Sequence, residues 1–484
     1  MFSHRETPAL VLALLITLGL LTVGLRWSLG SLATLHLQGL RLPPRSAEVA
    51  RISQGELLLL PAEALPEKRL GSRAVAHGRY AEAVIHFDQA LRAAPGDPET
   101  HIYRANAEIG TVPAYTLAVV VALAGDRPTA LEVLQGVAQA QQTVNQNGGI
   151  HGVPLRVAIA TDENSAEQAI ALARHLTQDA AILGVVGHGS EATTRIAIEQ
   201  YAAGGLTVMS PLSSSVTLTN VSPYLRRTVP SDFIAARALA QHLLNRHQRV
   251  VVAYSSESDE SRSLKDEFAT ALVLGGGQVV QEVDLSSASF SPGATVEQAI
   301  ALGATVLALV PSATRLERGL QLVRVNAGRL GMVAGSALYA PQTLEVGGPD
   351  AIGLVVAVPW HAQTAGASPF VVAAQQQWGR EVSWRTAAAY DAVQSLVAAM
   401  RVQLPGALSR SPNRQSIGRS LQDLSFFAEG ATSIVRFLPS GDRNQGVQLV
   451  EVRPGLHSGY GYDFVPIGVP PSPPRTEALG MARP

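Results

Sequence analysis

From Ala114 onward, short apolar runs alternate with stretches whose apolar residues recur at helical spacing. LAVVVALA precedes TALEVLQGVAQAQQTVNQ, PLRVAIATD precedes AEQAIALARHLTQ, and AILGVVG precedes TTRIAIEQYAAGG. RVVVAYSS with SLKDEFATALVLGGG, ATVLALVPS with RLERGLQLVRVNAG, and finally GMVAGSA continue the series. A continuous apolar run suits a strand covered on both faces. Strand–helix alternation at this spacing builds βαβ units and largely parallel sheets. About 340 residues of this texture exceed what one core comfortably serves, so two α/β lobes are expected.

Composition narrows what such a fold can do. Apolar residues make up 46% of the 484 and charged residues 15%, enough for sizeable cores and too little charge for a disordered chain. The formal net charge is −1 and no Lys/Arg cluster occurs, so the footprint of a nucleic-acid binder is missing. The absence of cysteine excludes thiol catalysis, disulfide staples, cysteine–zinc sites and a lipid-modified cysteine. It leaves the redox compartment open. The sequence has no GxxxxGKS/T phosphate loop, GxGxxG fingerprint, GxSxG elbow or HExxH pair, and its twelve histidines are scattered. No nucleophile–base pair, cofactor site or metal site can be assembled from spacing. A binding protein is expected, not an enzyme.

Ahead of the α/β region, Pro8 to Leu25 reads PALVLALLITLGLLTVGL, without a charge. About 20 apolar residues span a bilayer core, and this run is long for a signal-peptide h-region. No convincing small-x-small cleavage site follows it. Residues 1–30 are therefore expected to form an uncleaved single-pass transmembrane anchor, a cleaved signal being the alternative. Arg5 and the N-terminal amine face Arg26, Arg41 and Arg45 across it, so flanking charge selects neither orientation. A Pro-containing linker is expected over 31–66. Over 67–112, Leu70, Gly71, Gly78, Tyr80, Ala83, Phe87, Ala90 and Pro95 fit the roughly 34-residue tetratricopeptide pattern. DPETHIYRANAEIG then fits the first helix of a second unit. One and a half repeats cannot build a peptide groove, so a small helical hairpin region acting as cap or spacer is expected. A Pro-rich tail closes the chain over 459–484.

In open parallel sheets, ligands bind beyond the carboxyl ends of the strands. That rule selects the loops GHGSEATT (187–194), SPLSSS (210–215), YSSESDES (254–261), PSAT (311–314) and GSALY (335–339). Serine hydroxyls donate and accept at little cost in volume, and helix N-termini behind such loops favour anionic ligand groups. The same residue types also serve as N-caps and turns. His188, between Gly187 and Gly189, is read as a packing or supporting residue and not as a general base. Glu257, Asp259 and Glu260 form a short acidic run, read as a solvated loop with a cation-binding lip as the alternative.

Five stretches in order resemble the type I periplasmic substrate-binding proteins of the branched-chain amino acid ABC transporter class. They are GVAQAQQTVNQNGGIHGVPLRVAIATDE, AILGVVGHGSEATTRIAIEQYAAGGLTVMSPLSSSVTLT, LRRTVPSDFIAARALA, VVVAYSSESDESRSLKDEFATAL and WGREVSWRTAAAYDAVQSLVAAM. The likeness is strongest to an anchored group in which such a module follows a membrane segment and a short helical-repeat region. The resemblance implies a solute-binding module over 113–458 with two doubly wound lobes. Lobe one would take residues 114–231 and 360–429, lobe two 232–359 and 430–458. Three crossovers, near residues 230–232, 359–360 and 429–430, would form a hinge.

The resemblance also implies a site. Lobe one would hold a ligand carboxylate through the 187–194 loop, with Ser190 and Glu191, and through the hydroxyl of Ser214 beside the backbone of Leu212 and Ser213. Three positions depart from the family pattern. Glu191 stands where a carboxylate-binding serine is usual, and would repel a ligand carboxylate unless turned away or protonated. Ser336 stands where an acidic partner for a ligand ammonium is usual, and Glu260 replaces a cleft tyrosine. An unpaired buried ammonium is costly. Either Glu191 or Glu260 takes over that pairing, or the ligand is an amide, a urea or another polar molecule. The expected function is a membrane-anchored solute-binding protein on the periplasmic or extracellular side of the cytoplasmic membrane. It would close over a small polar solute and serve ABC permease subunits or report occupancy to a partner. A scaffold or regulatory protein with a degenerate binding fold is the alternative. No cofactor and no nucleic-acid partner are expected.

Overall fold

The computed structural model describes residues 51–60, 64–244, 248–366, 368–402 and 412–468. The apolar stretch expected to anchor the chain, most of the linker and the tail beyond residue 468 lie outside the described residues. Among the described residues no helix is long and apolar enough to cross a membrane.

The first sheet contains β1 (Ile52–Ser53), β2 (Tyr115–Val121), β3 (Leu155–Thr161), β4 (Ile182–Val186), β5 (Val208–Ser210) and β6 (Leu225–Arg227), in the spatial order β1-β3-β2-β4-β5-β6. β2 to β6 are parallel, and Thr116–Val121 are all buried, as an apolar run covered on both faces requires. The second sheet contains β7 (Arg249–Tyr254), β8 (Gln278–Asp284), β9 (Val306–Val310), β10 (Gly331–Ala334) and β11 (Val355–Val358), all parallel. A small hairpin, β12 (Ala428–Glu429) and β13 (Ile434–Val435), precedes β14 (Gln448–Pro454) and β15 (Tyr462–Pro466), which extend the second sheet antiparallel from β11. Both sheets are therefore mixed rather than purely parallel. β1 lies inside the expected linker; two residues are too few to show a period.

The chain passes from first sheet to second after β6, where the helix Asp232–Leu243 packs on the helix Asp259–Leu274 and on β11. It returns after β11 to the helix Trp384–Arg401, which lies on the helix Arg127–Gln146 of the first lobe. The third passage falls within 436–447, later than 429–430. Glu429 and Gly430 belong to the β12–β13 hairpin, which the first lobe retains: buried Asp391 accepts from the Ala431 N–H at 2.6 Å. Gln445 Nε2 donates to the Pro359 carbonyl at 3.2 Å, so the second and third passages run side by side.

Three helices, Pro66–Ala76, Tyr80–Ala93 and Pro98–Ile109, occupy the helical hairpin region. Ala83, Phe87 and Ala90 are buried on one face, and Gly71 lets the Phe87 ring lie against the first helix, where any Cβ would meet it. The third helix docks on β3 through Asn106. Its side-chain amide donates to the Val157 carbonyl at 2.7 Å and accepts from the Val157 N–H at 3.1 Å. It also donates to the Gln54 carbonyl at 2.8 Å and accepts from Gln141 Nε2 at 2.8 Å. Where β1 leaves the edge after Ser53, this amide takes the place of the next strand residue and closes an otherwise open sheet edge.

Candidate functional site

The loops at the carboxyl ends of the first-lobe strands meet loops of the second lobe. Ser190 caps the helix Glu191–Ala203: its Oγ accepts from the Thr193 N–H at 3.3 Å and lies 2.8 Å from Thr193 Oγ1. Beneath it, buried His188 bridges Asp162 (Nδ1 to Oδ2, 2.6 Å) and the Tyr201 hydroxyl (3.0 Å). Both ring nitrogens are engaged, as a supporting residue requires. The SPLSSS loop is held from below by Arg227, an almost wholly buried guanidinium that donates to the Ser213 carbonyl at 3.4 Å and pairs with Asp442 (Nε to Oδ1, 2.9 Å). Leu212, with Val121, Ala122, Asp126, Thr129, Ala130, Val133 and Gly189, lines a small cavity.

In the second lobe, the serines of 254–261 mostly knit loops together. The Ser255 N–H donates to Ser261 Oγ at 2.7 Å, the Ser312 N–H donates to Ser255 Oγ at 3.0 Å, and Ser258 caps the helix Asp259–Leu274. The acidic run divides three ways. Glu257 accepts from Ser312 and Arg315 at the surface. Asp259 reaches across to Arg195 of the first lobe at 3.0 Å. Glu260 stands where the lobes face each other.

Contacts between the lobes converge on Asp232, the first residue of its helix. Its backbone N–H donates to the Ser214 carbonyl at 2.8 Å, and its carboxylate accepts from the hydroxyls of Ser214 and of Ser263 in the second lobe. Ser263 Oγ in turn accepts from the Val216 N–H at 3.1 Å. Glu191 is buried; its Oε1 accepts from Thr217 Oγ1 at 2.6 Å, while its Oε2 and the Oδ2 of Asp232 have no hydrogen-bond partner. Arg385 of the first lobe pairs with Glu132 at 3.4 Å and donates to the carbonyls of Tyr339 (3.3 Å) and Ser336 (3.5 Å) in the second.

Burial pushes the Asp232 carboxyl up to about 6, against the pull of its two serine donors, and the Glu191 charge adds to the push. Glu260 is pushed up to about 8, by enclosure in protein first and by the charges of Asp232 and Glu191 next, with Arg385 opposing. Protein surrounds Glu260, yet water reaches its side chain in the cleft, so its removal from solvent is partial. Repulsion by the two neighbouring carboxylates is the part of the push that its position secures.

Of the residues singled out from sequence, Ser190, Glu191, Leu212, Ser213 and Ser214 gather on the first-lobe wall. Glu260 lies opposite, within reach of the Glu191 charge. Ser336 enters through its carbonyl on Arg385. Asp232, Asp126, Arg227 and Arg385 belong to the same neighbourhood and were not legible as site residues. Only the VPSD punctuation before a helix marked Asp232, and it reads equally well as a crossover.

The periplasmic binding protein family profile matches residues 114–458. An amino acid binding protein of Pseudomonas aeruginosa is 32% identical over 85 residues, 18% of this chain and 23% of that protein, so the match spans under a quarter of the relative's length. Among solved structures, an ABC transporter substrate-binding protein from Desulfitobacterium hafniense in complex with Leu is similar at a TM-score of 0.61 and 23% identity, over 73% of this chain and 100% of that one. A solute-binding protein of an ABC transporter from Rhodopseudomonas palustris, in complex with 3,4-dihydroxybenzoic acid, is similar at a TM-score of 0.62 and 15% identity, over 73% and 96%.

Proposed function

Since the chain belongs to the periplasmic binding protein family, we propose that it is an extracytoplasmic solute-binding protein. In this reading two lobes close over a small polar ligand, for ABC transport or for sensing, with residues 1–30 as a membrane anchor and the tetratricopeptide-like helices as a spacer. One observation carries it. The Ser214 hydroxyl and carbonyl meet Asp232, the Val216 N–H meets Ser263, and Glu260 lies within reach of the Asp232 and Glu191 charges, all at the carboxyl ends of the sheets, where ligands bind in this architecture. Ser190, Glu191, Leu212, Ser213, Ser214, Glu260 and Ser336 form the proposed ligand wall. A solute that binds the folded state raises its melting temperature by mass action. Screening amino acids, amides, ureas, amines and aromatic acids should therefore yield at least one shift, and Ser214→Ala should reduce it. No shift with any solute refutes binding and leaves the second reading, a scaffold whose ligand site has degenerated. The carboxylates at Glu191 and Glu260 are what favour that second reading.

A further inference from the structure

Three carboxylates converge where the lobes meet, Glu191 from the first and Asp232 and Glu260 from the second. Glu191 is 6% exposed and Asp232 3%, and one oxygen of each has no hydrogen-bond partner. A buried acceptor without a donor is unfavourable, and a buried charge without a counter-charge more so. Among the described residues, no Lys, Arg or His lies within ion-pair distance of any of the three. The nearby cations have other partners: Arg385 is held by Glu132 and two carbonyls, Arg227 by Asp442, Arg195 by Asp259. Among the described residues no cluster of His, Asp and Glu has the arrangement to hold a metal ion. On the first-lobe side, Val121, Ala122, Ala130, Val133 and Leu212 give the adjoining cavity an apolar wall, and Asp126, whose charge also reaches Glu260, stands at its edge.

We infer that the cleft takes a small organic cation, an amine or guanidinium compound with an apolar body. Its N–H groups meet the free oxygens of Glu191 and Asp232 and the carboxylate of Glu260. Its apolar part rests against Val121, Val133 and Leu212. This inference rests on the solute-binding reading and specifies the charge of the solute. A cation supplies donors to acceptors that have none and removes the mutual repulsion of three like charges. A ligand carboxylate would instead bring a further negative charge to the same place.

The test uses the full-length protein, freed of bound solute by partial unfolding and refolding, with butylamine, putrescine, benzylamine and agmatine as cationic probes. Leucine, 3,4-dihydroxybenzoate, acetamide and urea are the zwitterionic, anionic and neutral counterparts. At least one cation should raise the melting temperature, and none of the other four should. Glu260→Gln, at a side chain open to water, should leave the apo protein folded and weaken that cation by about tenfold or more, as loss of one charge partner does. A shift with leucine, the aromatic acid or a neutral amide and with no cation overturns this inference and leaves solute binding intact. Cation binding unchanged by Glu260→Gln overturns the site. No shift with any probe overturns both readings.

Discussion

Asp232→Asn should stabilise the ligand-free protein at neutral pH and not at acid pH. In the folded chain the Asp232 carboxyl titrates at about 6 against an ordinary 3.8. The folded state thus holds that proton more tightly than the unfolded state does. Stability is fullest below the ordinary value and falls as pH rises through about 6. A difference of about two units corresponds to about 3 kcal/mol, at about 1.4 kcal/mol per unit. The aspartate charge also gains some 0.3–1 kcal/mol from its place at a helix N-terminus, which asparagine forfeits. The net gain expected for Asp232→Asn above about pH 7 is therefore about 2 kcal/mol, vanishing or reversing near pH 4. Urea unfolding of wild type and variant across this range reads it directly, since the midpoint moves with stability at constant slope. The same substitution removes the largest neighbouring charge from Glu260, whose upward push should relax. A wild-type-to-variant difference that is the same at both ends of the range would refute the premise that Asp232 is a strained carboxylate.

Other positions test the scaffold. Gly136→Ala brings a Cβ against the Thr386 carbonyl oxygen, where the helices Arg127–Gln146 and Trp384–Arg401 touch. Helix propensity returns about 1 kcal/mol but overpacking against backbone costs about 1–3, so thermal unfolding should show a net loss. Asn106→Ala strips the Val157 N–H and carbonyl of their partners. Each buried orphan costs about 1–3 kcal/mol, so urea unfolding should show a total loss of about 3 kcal/mol. Arg227→Met leaves Asp442 buried without its counter-charge. The expected loss is about 3–5 kcal/mol, and adding Asp442→Asn should restore much of it.

What could be seen in the sequence was what is local. The apolar run of β2, the amphipathic stretch after it and the hydroxyl cluster at 210–215 each show themselves within a dozen residues, because periodicity and turn chemistry act at that range. The buried role of His188 follows from its tight Gly flanks, though its partners Asp162 and Tyr201 do not. What stayed hidden was what depends on distant pairing. Arg227 and Asp442 read as ordinary surface charges until the third passage brings them together. Asn106 looks like a mid-helix polar residue until β3 is found unpaired beside it. The third passage lies later in the chain than the resemblance implies, because the Glu429–Gly430 segment is held to the first lobe by Asp391 and by its own hairpin. The acidic run at 257–260 gave no hint that its three members face a surface, an opposing lobe and a cleft.

These charges bear on how closure would be driven. In the proposed reading, closing the lobes would bring Glu260 of the second against Glu191 of the first, beside Asp232. In the empty protein that approach is resisted by repulsion or requires protons to be taken up. At the rim, Arg195 and Asp259 attract across the gap, but Arg195 is half exposed and such a pair contributes only about 0–1 kcal/mol. A solute shifts the balance between open and closed forms only by the difference in its affinity for the two. On the proposed reading a cation would have that difference, because it would meet all three carboxylates only when the lobes are shut. An uncharged solute of the same shape gains the apolar wall of the first lobe, which is present in the open form as well, and leaves the repulsion standing. On that reading the carboxylates would make closure conditional on the sign of the guest's charge. Replacing Glu191 and Glu260 together by glutamine should let the empty protein shut, seen as a smaller radius of gyration by small-angle scattering; an unchanged radius would show that these charges do not govern closure.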